Sequence, residues 1–164
     1  MPPVNFREKI IPYDRLAEWR KQAQASGRKL VVTNGCFDLL HVGHVTYLEA
    51  ARQQGDLLLV GLNNDESVRT LKGEGRPVVS EADRAAVLAA LQSVDAVCIF
   101  NETTARRFLS IAQPDVYVKG GDYTIDTINQ EERRFVESMG GKVVILPGVP
   151  DRSSSALTEK ILRL

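Results

Sequence analysis

Both histidines of this 164-residue chain, His41 and His44, fall three positions apart in one short run. The run reads Asn34-Gly35-Cys36-Phe37-Asp38-Leu39-Leu40-His41-Val42-Gly43-His44. At a helix start, that spacing puts two imidazoles on one side of the first turn. Free backbone amides and the positive end of the helix dipole already favour an anion there. Two imidazole donors beside such amides can hold a phosphate while its charge shifts in a transition state. Gly35 lets the backbone approach a ligand, and Gly43 leaves room for a phosphate over the helix start. The plainer alternative makes one histidine a helix cap and the other a core residue.

Other chemistries lack their devices. A structural zinc site built on His41, His44 and Cys36 needs a fourth ligand, and Cys98 falls inside an apolar strand-like run instead. No metal-ligating residues are assigned. There is no Walker A run, no Gly-x-Gly-x-x-Gly after the first strand, and no Gly-x-Ser-x-Gly elbow. Two further segments stand out: Lys119-Gly120-Gly121-Asp122 and Arg152-Ser153-Ser154-Ser155.

The elements that must position these segments are legible as alternating patterns. Lys29 to Thr33, Asp56 to Leu62, Asp95 to Phe100, Asp115 to Val118 and Lys142 to Leu146 are β-branched-rich apolar runs. Near-continuous hydrophobicity marks strands covered on both faces. Helical patterns lie between them: Gly43 to Gln54 with Gly55 placed for a C-cap, Glu81 to Gln92 behind a Ser80/Asp83 capping box, Thr104 to Ala112, and Asn129 to Met139. Further helices are expected from about Asp14 to Ser26 and from Ser154 to Leu162. Lys72 to Ser80, with Gly73, Gly75 and Pro77, reads as an irregular functional loop. Strands alternating with helices predict one α/β domain over residues 1–164, a doubly wound, Rossmann-like five-stranded parallel sheet with helices on both faces. Residues 1–27 form an N-terminal extension and helix packed on it. In such a sheet, ligands bind beyond the carboxyl ends of the strands, where the three unusual segments fall.

Composition excludes several classes. The 21 basic and 21 acidic side chains cancel, so nothing favours broad attraction to nucleic acid or a membrane surface. No window approaches the length of an apolar bilayer span, and the N-terminus lacks the apolar core of a signal peptide. Two cysteines are too few for a disulfide scaffold, and a reducing cytoplasm is the expected location.

Gly35-Cys36-Phe37-Asp38-Leu39-Leu40-His41-Val42-Gly43-His44 resembles the G-x-F-D-x-x-H-x-G-H signature of the nucleotidyltransferase superfamily, which includes the cytidylyltransferases. Ser153-Ser154-Ser155 resembles its second signature, a Ser/Thr-rich turn opening the last helix. Three longer stretches, Thr33 to Asp38, Leu71 to Pro77 and Val118 to Tyr123, resemble the heptose 1-phosphate adenylyltransferase domains of bacterial ADP-heptose synthases. That resemblance runs from about residue 8 to the C-terminus. Arg152, where an Ile is common, departs from the wider pattern. So does Lys160, where cytidylyltransferases usually carry Arg.

The resemblance implies transfer of the adenylyl group of ATP to D-glycero-D-manno-heptose 1-phosphate, giving ADP-heptose, a lipopolysaccharide-core precursor, and pyrophosphate. The sugar phosphate attacks the α-phosphorus directly, so alignment and charge stabilisation carry the catalysis. His41, His44 and Lys72 are implied as catalytic residues. Thr33, Asn34, Gly35, Phe37, His41, Gly43, His44, Lys119, Gly120, Asp122 and Ser153 to Ser155 are implied at the nucleotide. Lys72 and Arg76 are implied at the sugar phosphate, against a solvated loop lysine and a surface arginine as alternatives. Asp38 is expected to fix its loop, and Arg84 to make a helix-surface salt bridge. Cys36 needs no redox role, although its thiol pKa is expected to fall beside His41. Mg2+ is expected to accompany ATP, with a separate sugar kinase supplying the substrate and a homodimer as the assembly. The competing enzyme reading is a glycerol-3-phosphate or related cytidylyltransferase using CTP. The competing non-enzyme reading is a nucleotide-binding regulator.

Overall fold

The computed structural model describes residues 5–164; the first four residues of the expected 1–27 extension lie outside the described residues. Five strands, β1 (Leu30–Gly35), β2 (Leu57–Asn63), β3 (Ala96–Phe100), β4 (Val116–Lys119) and β5 (Lys142–Ile145), form one sheet. Every pairing is parallel, in the order β3-β2-β1-β4-β5. The chain winds outward from β1 to β3, then restarts on the other side at β4. The switch point therefore lies between β1 and β4, and in open α/β sheets the ligand crevice opens there.

The helices are α1 (Leu16–Ala25), α2 (Val42–Arg52), α3 (Asp65–Lys72), α4 (Glu81–Ala90), α5 (Arg106–Ala112), α6 (Gln130–Ser138) and α7 (Ser154–Leu162). The period-two alternation of each strand feeds two separate cores. Leu30, Val32, Leu59, Cys98 and Tyr117 pack under Leu16, Phe108 and Val136 of α1, α5 and α6. Val31, Leu58, Val60, Val97 and Val118 pack under Leu48, Leu88 and Ala89 of α2 and α4. A layered α/β domain results, as the sequence pattern predicts. Short 3-10 turns at Phe6–Lys9 and Tyr13–Arg15 precede α1. There Ile10 bridges Val97 on the edge strand and Lys9 Nζ donates to the Leu91 and Val94 carbonyls at 3.2 and 2.8 Å.

Three expectations need correction. The stretch before Gly73 is helical: α3 ends on Lys72, and the irregular loop starts one residue later. Gly55 is not the cap of α2, which closes at Gln53; a Cβ on Gly55 would lie 2.8 Å from the Lys29 carbonyl, so the residue is small because β1 begins against it. Arg84 lies inside the fold, 1% exposed, instead of on the helix surface.

Candidate active site

His41 is the N-cap of α2, and its Nδ1 accepts the Gly43 backbone N–H at 3.1 Å. An accepting Nδ1 puts the proton of the neutral ring on Nε2. That Nε2 is buried with no partner, and so is Nδ1 of His44. The two rings lie 4.0 Å apart between centroids. His41 thus caps the helix and still presents a free donor, merging the two readings of the histidine pair. Burial pulls the His44 pKa down to about 4, with the His41 charge adding to the effect. Burial, then the nearby Arg152 charge, lowers His41 as well. Both rings are therefore neutral near pH 7, and an incoming anion is the group that would favour their charged forms.

Phe37, at φ +43°, folds back into the core and packs on His44 at 5.4 Å between ring centroids. A Cβ on Gly35 would lie 3.0 Å from the Phe37 ring, so this glycine makes room for that side chain. Gly43 faces the His41 ring and the Arg152 Cβ, at 2.8 and 3.1 Å from where its own Cβ would lie. The space above Gly43 is thus occupied by His41, and the starts of α2 and α7 are neighbours. The first turns of two helices thus lie side by side, each with free amides of the kind that favour an anion.

Of the three serines, Ser153 caps α7 by accepting from Ala156 N at 3.0 Å, and Ser154 Oγ donates to the Leu39 carbonyl at 3.0 Å. The Ser153 hydroxyl thus closes the start of α7, and the Ser154 hydroxyl ties that helix to the histidine loop. Ser155 is exposed, leaving its hydroxyl and the first-turn amides for a ligand.

Asn34 and Lys119 stand at the ends of β1 and β4, and Lys119 Nζ lies 3.4 Å from Asn34 Oδ1. Gly120 abuts the Tyr47 ring so closely that no side chain fits there. The Tyr47 hydroxyl in turn meets Thr33 Oγ1 at 2.7 Å and donates to the Val118 carbonyl at 3.1 Å. Thr33 is 1% exposed, so it braces the β1–β4 seam from inside, and Asp122 is exposed on the turn beyond it. Gly148 packs on Gly121, bringing the segment before α7 against the Lys119 loop. All three unusual segments converge at the switch point.

Asp38 fixes its loop, as expected, by accepting from Arg76 Nε at 2.8 Å and from the Val78 and Val79 amides. Burial pushes the Asp38 pKa up most strongly, but those amides and the Arg76 guanidinium together hold it below the usual carboxylate range. Arg76 is therefore committed to Asp38 through Nε. Lys72, at the exposed end of α3, precedes Gly73 at φ +93°, a conformation that favours glycine. Burial raises the Cys36 pKa, opposed by the Lys72, Arg84 and Lys119 charges. The expected fall beside His41 does not occur, because desolvation of the thiolate outweighs these cations. Cys36 nonetheless marks where the positive field of Lys72 and Lys119 overlaps.

Sequence reasoning missed the buried frame of the site. Arg84 donates to the carbonyls of Val79, Cys36 and Asn63 at 2.9, 2.6 and 2.9 Å and pairs with Asp65 at 2.7 Å. One guanidinium thus joins the ends of β1 and β2, the start of α3 and the Lys72 loop. The signal lay in the helical spacing, since Arg84 shares a face with Leu88 and Ala85.

The fold and the crevice define an α/β domain of Rossmann-like type whose switch point gathers the histidine pair, the start of α7 and Lys119. The chain belongs to the Cytidylyltransferase-like family, whose sequence profile matches residues 32–158. It is 53% identical over 153 residues to the bifunctional protein HldE of Geotalea uraniireducens, covering 93% of this chain and 31% of that protein. The bifunctional protein HldE of Methylobacillus flagellatus is also 53% identical, over 147 residues, covering 90% of this chain and 29% of that protein. The chain therefore spans about a third of the length of these curated relatives. Among solved structures, the lipopolysaccharide core biosynthesis protein from Thermoplasma volcanium superposes with a TM-score of 0.62 at 27% identity, over 75% of this chain and 98% of that one. Pantothenate synthetase from Thermus thermophilus shares the fold, with a TM-score of 0.58 at 13% identity over 86% of this chain and 62% of that one. Among the described residues, no helix is long and apolar enough to cross a membrane.

Proposed function

We propose that this chain is a nucleotidyltransferase that moves the adenylyl group of ATP onto D-glycero-D-manno-heptose 1-phosphate, releasing pyrophosphate and ADP-heptose. The observation that carries the reading is the histidine pair: two neutral rings 4.0 Å apart, each with an unpartnered buried nitrogen, at a helix start beside the switch point. The resemblance of the Thr33, Leu71 and Val118 stretches to heptose 1-phosphate adenylyltransferase domains, together with the relatives named HldE, supports the choice of substrates.

In this reading the triphosphate lies across the N-termini of α2 and α7. His41 Nε2–H and His44 donate to oxygens whose charge grows as the α-phosphorus becomes five-coordinate. A phosphate monoester dianion is already a nucleophile, so no protein nucleophile is required. Its oxygen forms the new bond to the α-phosphorus as the bond to the pyrophosphate oxygen breaks, and pyrophosphate carries away that electron pair. Lys72 screens the two approaching anions, which otherwise repel strongly in a site short of water. Asn34 and Lys119 serve the nucleotide from the strand ends, with Gly120 and Asp122 on the adjoining turn. Arg76 turns its remaining guanidinium donors to the sugar phosphate. Among the described residues, no group of three or more His, Cys, Asp or Glu converges on one point, and Asp38 is consumed by its loop. Mg2+, if held by the triphosphate, would supply positive charge at the leaving pyrophosphate, beside the donors of His41, His44 and the α7 start. A separate sugar kinase, a homodimer and a cytoplasmic location complete the proposal.

A nucleotide screen tests the reading. ATP at 100 times its dissociation constant should stabilise the fold by about 2.7 kcal/mol, whereas CTP at equal concentration should not. A stronger shift with CTP would favour the cytidylyltransferase reading. Binding of ATP with no release of its pyrophosphate in the presence of any sugar phosphate would leave a regulator.

A further inference from the structure

Behind Asn34 and Lys119 lies a chain of polar groups that the reaction as described does not use. Glu132, on α6, is 5% exposed. One of its carboxylate oxygens accepts the Ala105 backbone N–H at 2.7 Å, and the other meets the Tyr117 hydroxyl at 3.0 Å. Tyr117, 1% exposed, places the same hydroxyl 2.6 Å from Asn34 Oδ1, so its single proton is shared in a three-centre bond between the amide oxygen and the Glu132 carboxylate. Lys119 Nζ approaches that amide oxygen from its other side at 3.4 Å.

Donor and acceptor rules constrain this chain. An ammonium only donates, so the atom of Asn34 facing Lys119 is the oxygen. With its oxygen turned inward to Tyr117 and Lys119, the Asn34 carboxamide directs its NH2 the other way, at the end of β1. The ammonium itself lies 5.8 and 5.3 Å from the Tyr117 and Tyr123 ring centroids. Burial lowers the Lys119 pKa; Glu132 is the first charge opposing the fall, followed by Cys36. Asn34 from β1, Tyr117 from its own strand and Tyr123 from the following turn thus lie beside the Lys119 ammonium, and Glu132 from α6 and Cys36 from the histidine loop are the charges that favour it.

We propose that Glu132 is a positioning residue for the nucleotide site: through the Tyr117 hydroxyl it sets the Asn34 amide with its donors toward the ligand, and it is the buried counter-charge beneath the Lys119 ammonium. The ligand so recognised is an acceptor-rich group of a nucleoside triphosphate, and to that extent the inference rests on the proposed function. Buried charge is expensive unless compensated. Beside the Glu132 charge, Lys119 and Asn34 hold a preset cation and a preset amide donor at adjacent strand ends.

Glu132→Gln keeps an acceptor for Ala105 N and a polar partner for Tyr117 but removes the charge. Tyr117→Phe keeps the charge and breaks the link to Asn34. The test follows the Lys119 side-chain NMR signal through a pH titration and measures ATP binding by calorimetry, with thermal melts confirming the fold. In Glu132→Gln, Lys119 should deprotonate at lower pH than in the wild type, and ATP affinity should fall ~10-fold, the worth of one hydrogen bond to a charged group. That loss should grow toward alkaline pH. In Tyr117→Phe, ATP affinity should fall at every pH while the Lys119 titration stays close to that of the wild type. An unmoved Lys119 titration in Glu132→Gln, or wild-type ATP affinity in both variants, would overturn the inference. Failure of the wild-type protein to bind any nucleoside triphosphate would instead defeat the functional reading, with the Lys119 titration still deciding the counter-charge role.

Discussion

Asp38, three residues before the first histidine, and Arg76, four residues past the end of α3, meet at 2.8 Å with the carboxylate almost fully enclosed. The pair staples the far end of the Lys72 loop to the histidine loop, while Gly73 and Gly75 turn the near end through positive φ, a backbone conformation that favours glycine. Lys72, the last residue of α3, therefore stands across the two glycines from the fixed anchor, a place from which its ammonium can meet incoming phosphates.

Lys72→Ala should accordingly lower the turnover rate by more than it raises the Michaelis constant for ATP. Lys72→Arg should rescue only partly, because a planar fork does not replace a compact ammonium between two phosphates. Steady-state kinetics at saturating substrates check this, and a wild-type turnover rate in Lys72→Ala would make Lys72 a binding residue only.

His41→Ala and His44→Ala should each cut turnover by ~100-fold or more, the usual cost of one transition-state donor. Their far-ultraviolet spectra should match the wild type. His41→Ala should also lose stability by about 1 kcal/mol, because it removes the α2 cap. Near-normal turnover in either variant would make that ring structural.

Arg84→Ala should cost about 3–5 kcal/mol in urea unfolding, since it strips partners from three carbonyls and from Asp65. A loss below about 1 kcal/mol would show that water replaces the guanidinium. Little of this residue's role was legible in the sequence. The apolar runs specified all five strands because both faces of a parallel sheet are buried, and the histidine run stood out by residue type. By contrast α3, Asp-Glu-Ser-Val-Arg-Thr-Leu-Lys, carries too little apolar content to declare itself, although Ser67 and Val68 are buried. Arg84 and Glu132 look like solvated helix charges until their spacing to Leu88 and Val136 is considered. Only tertiary partners far along the chain reveal why these charges face inward.

Acid should weaken the fold in a defined window. The His44 pKa falls from 6.5 to about 4 on folding, so between those values the unfolded chain binds a proton that the native ring refuses. Stability from this source is fully present above pH 6.5 and is lost as pH falls toward 4. Asp38 acts lower, below the unfolded carboxylate value of about 3.9. Urea midpoints measured from pH 7 to pH 4.5 should decline for the wild type and decline less steeply in His44→Gln, where His41 is the remaining histidine with a lowered pKa. Parallel declines would place the titrating group elsewhere.

Pyrophosphate release reads out the proposed transfer from ATP to a heptose 1-phosphate. With ATP, Mg2+ and the heptose phosphate together, the protein should yield pyrophosphate and ADP-heptose in equal amounts, and neither product should form when the sugar phosphate is omitted. His44→Ala should lower that rate by ~100-fold at an unchanged product ratio. Pyrophosphate formed equally well without the sugar phosphate, or none formed with it, would contradict the account.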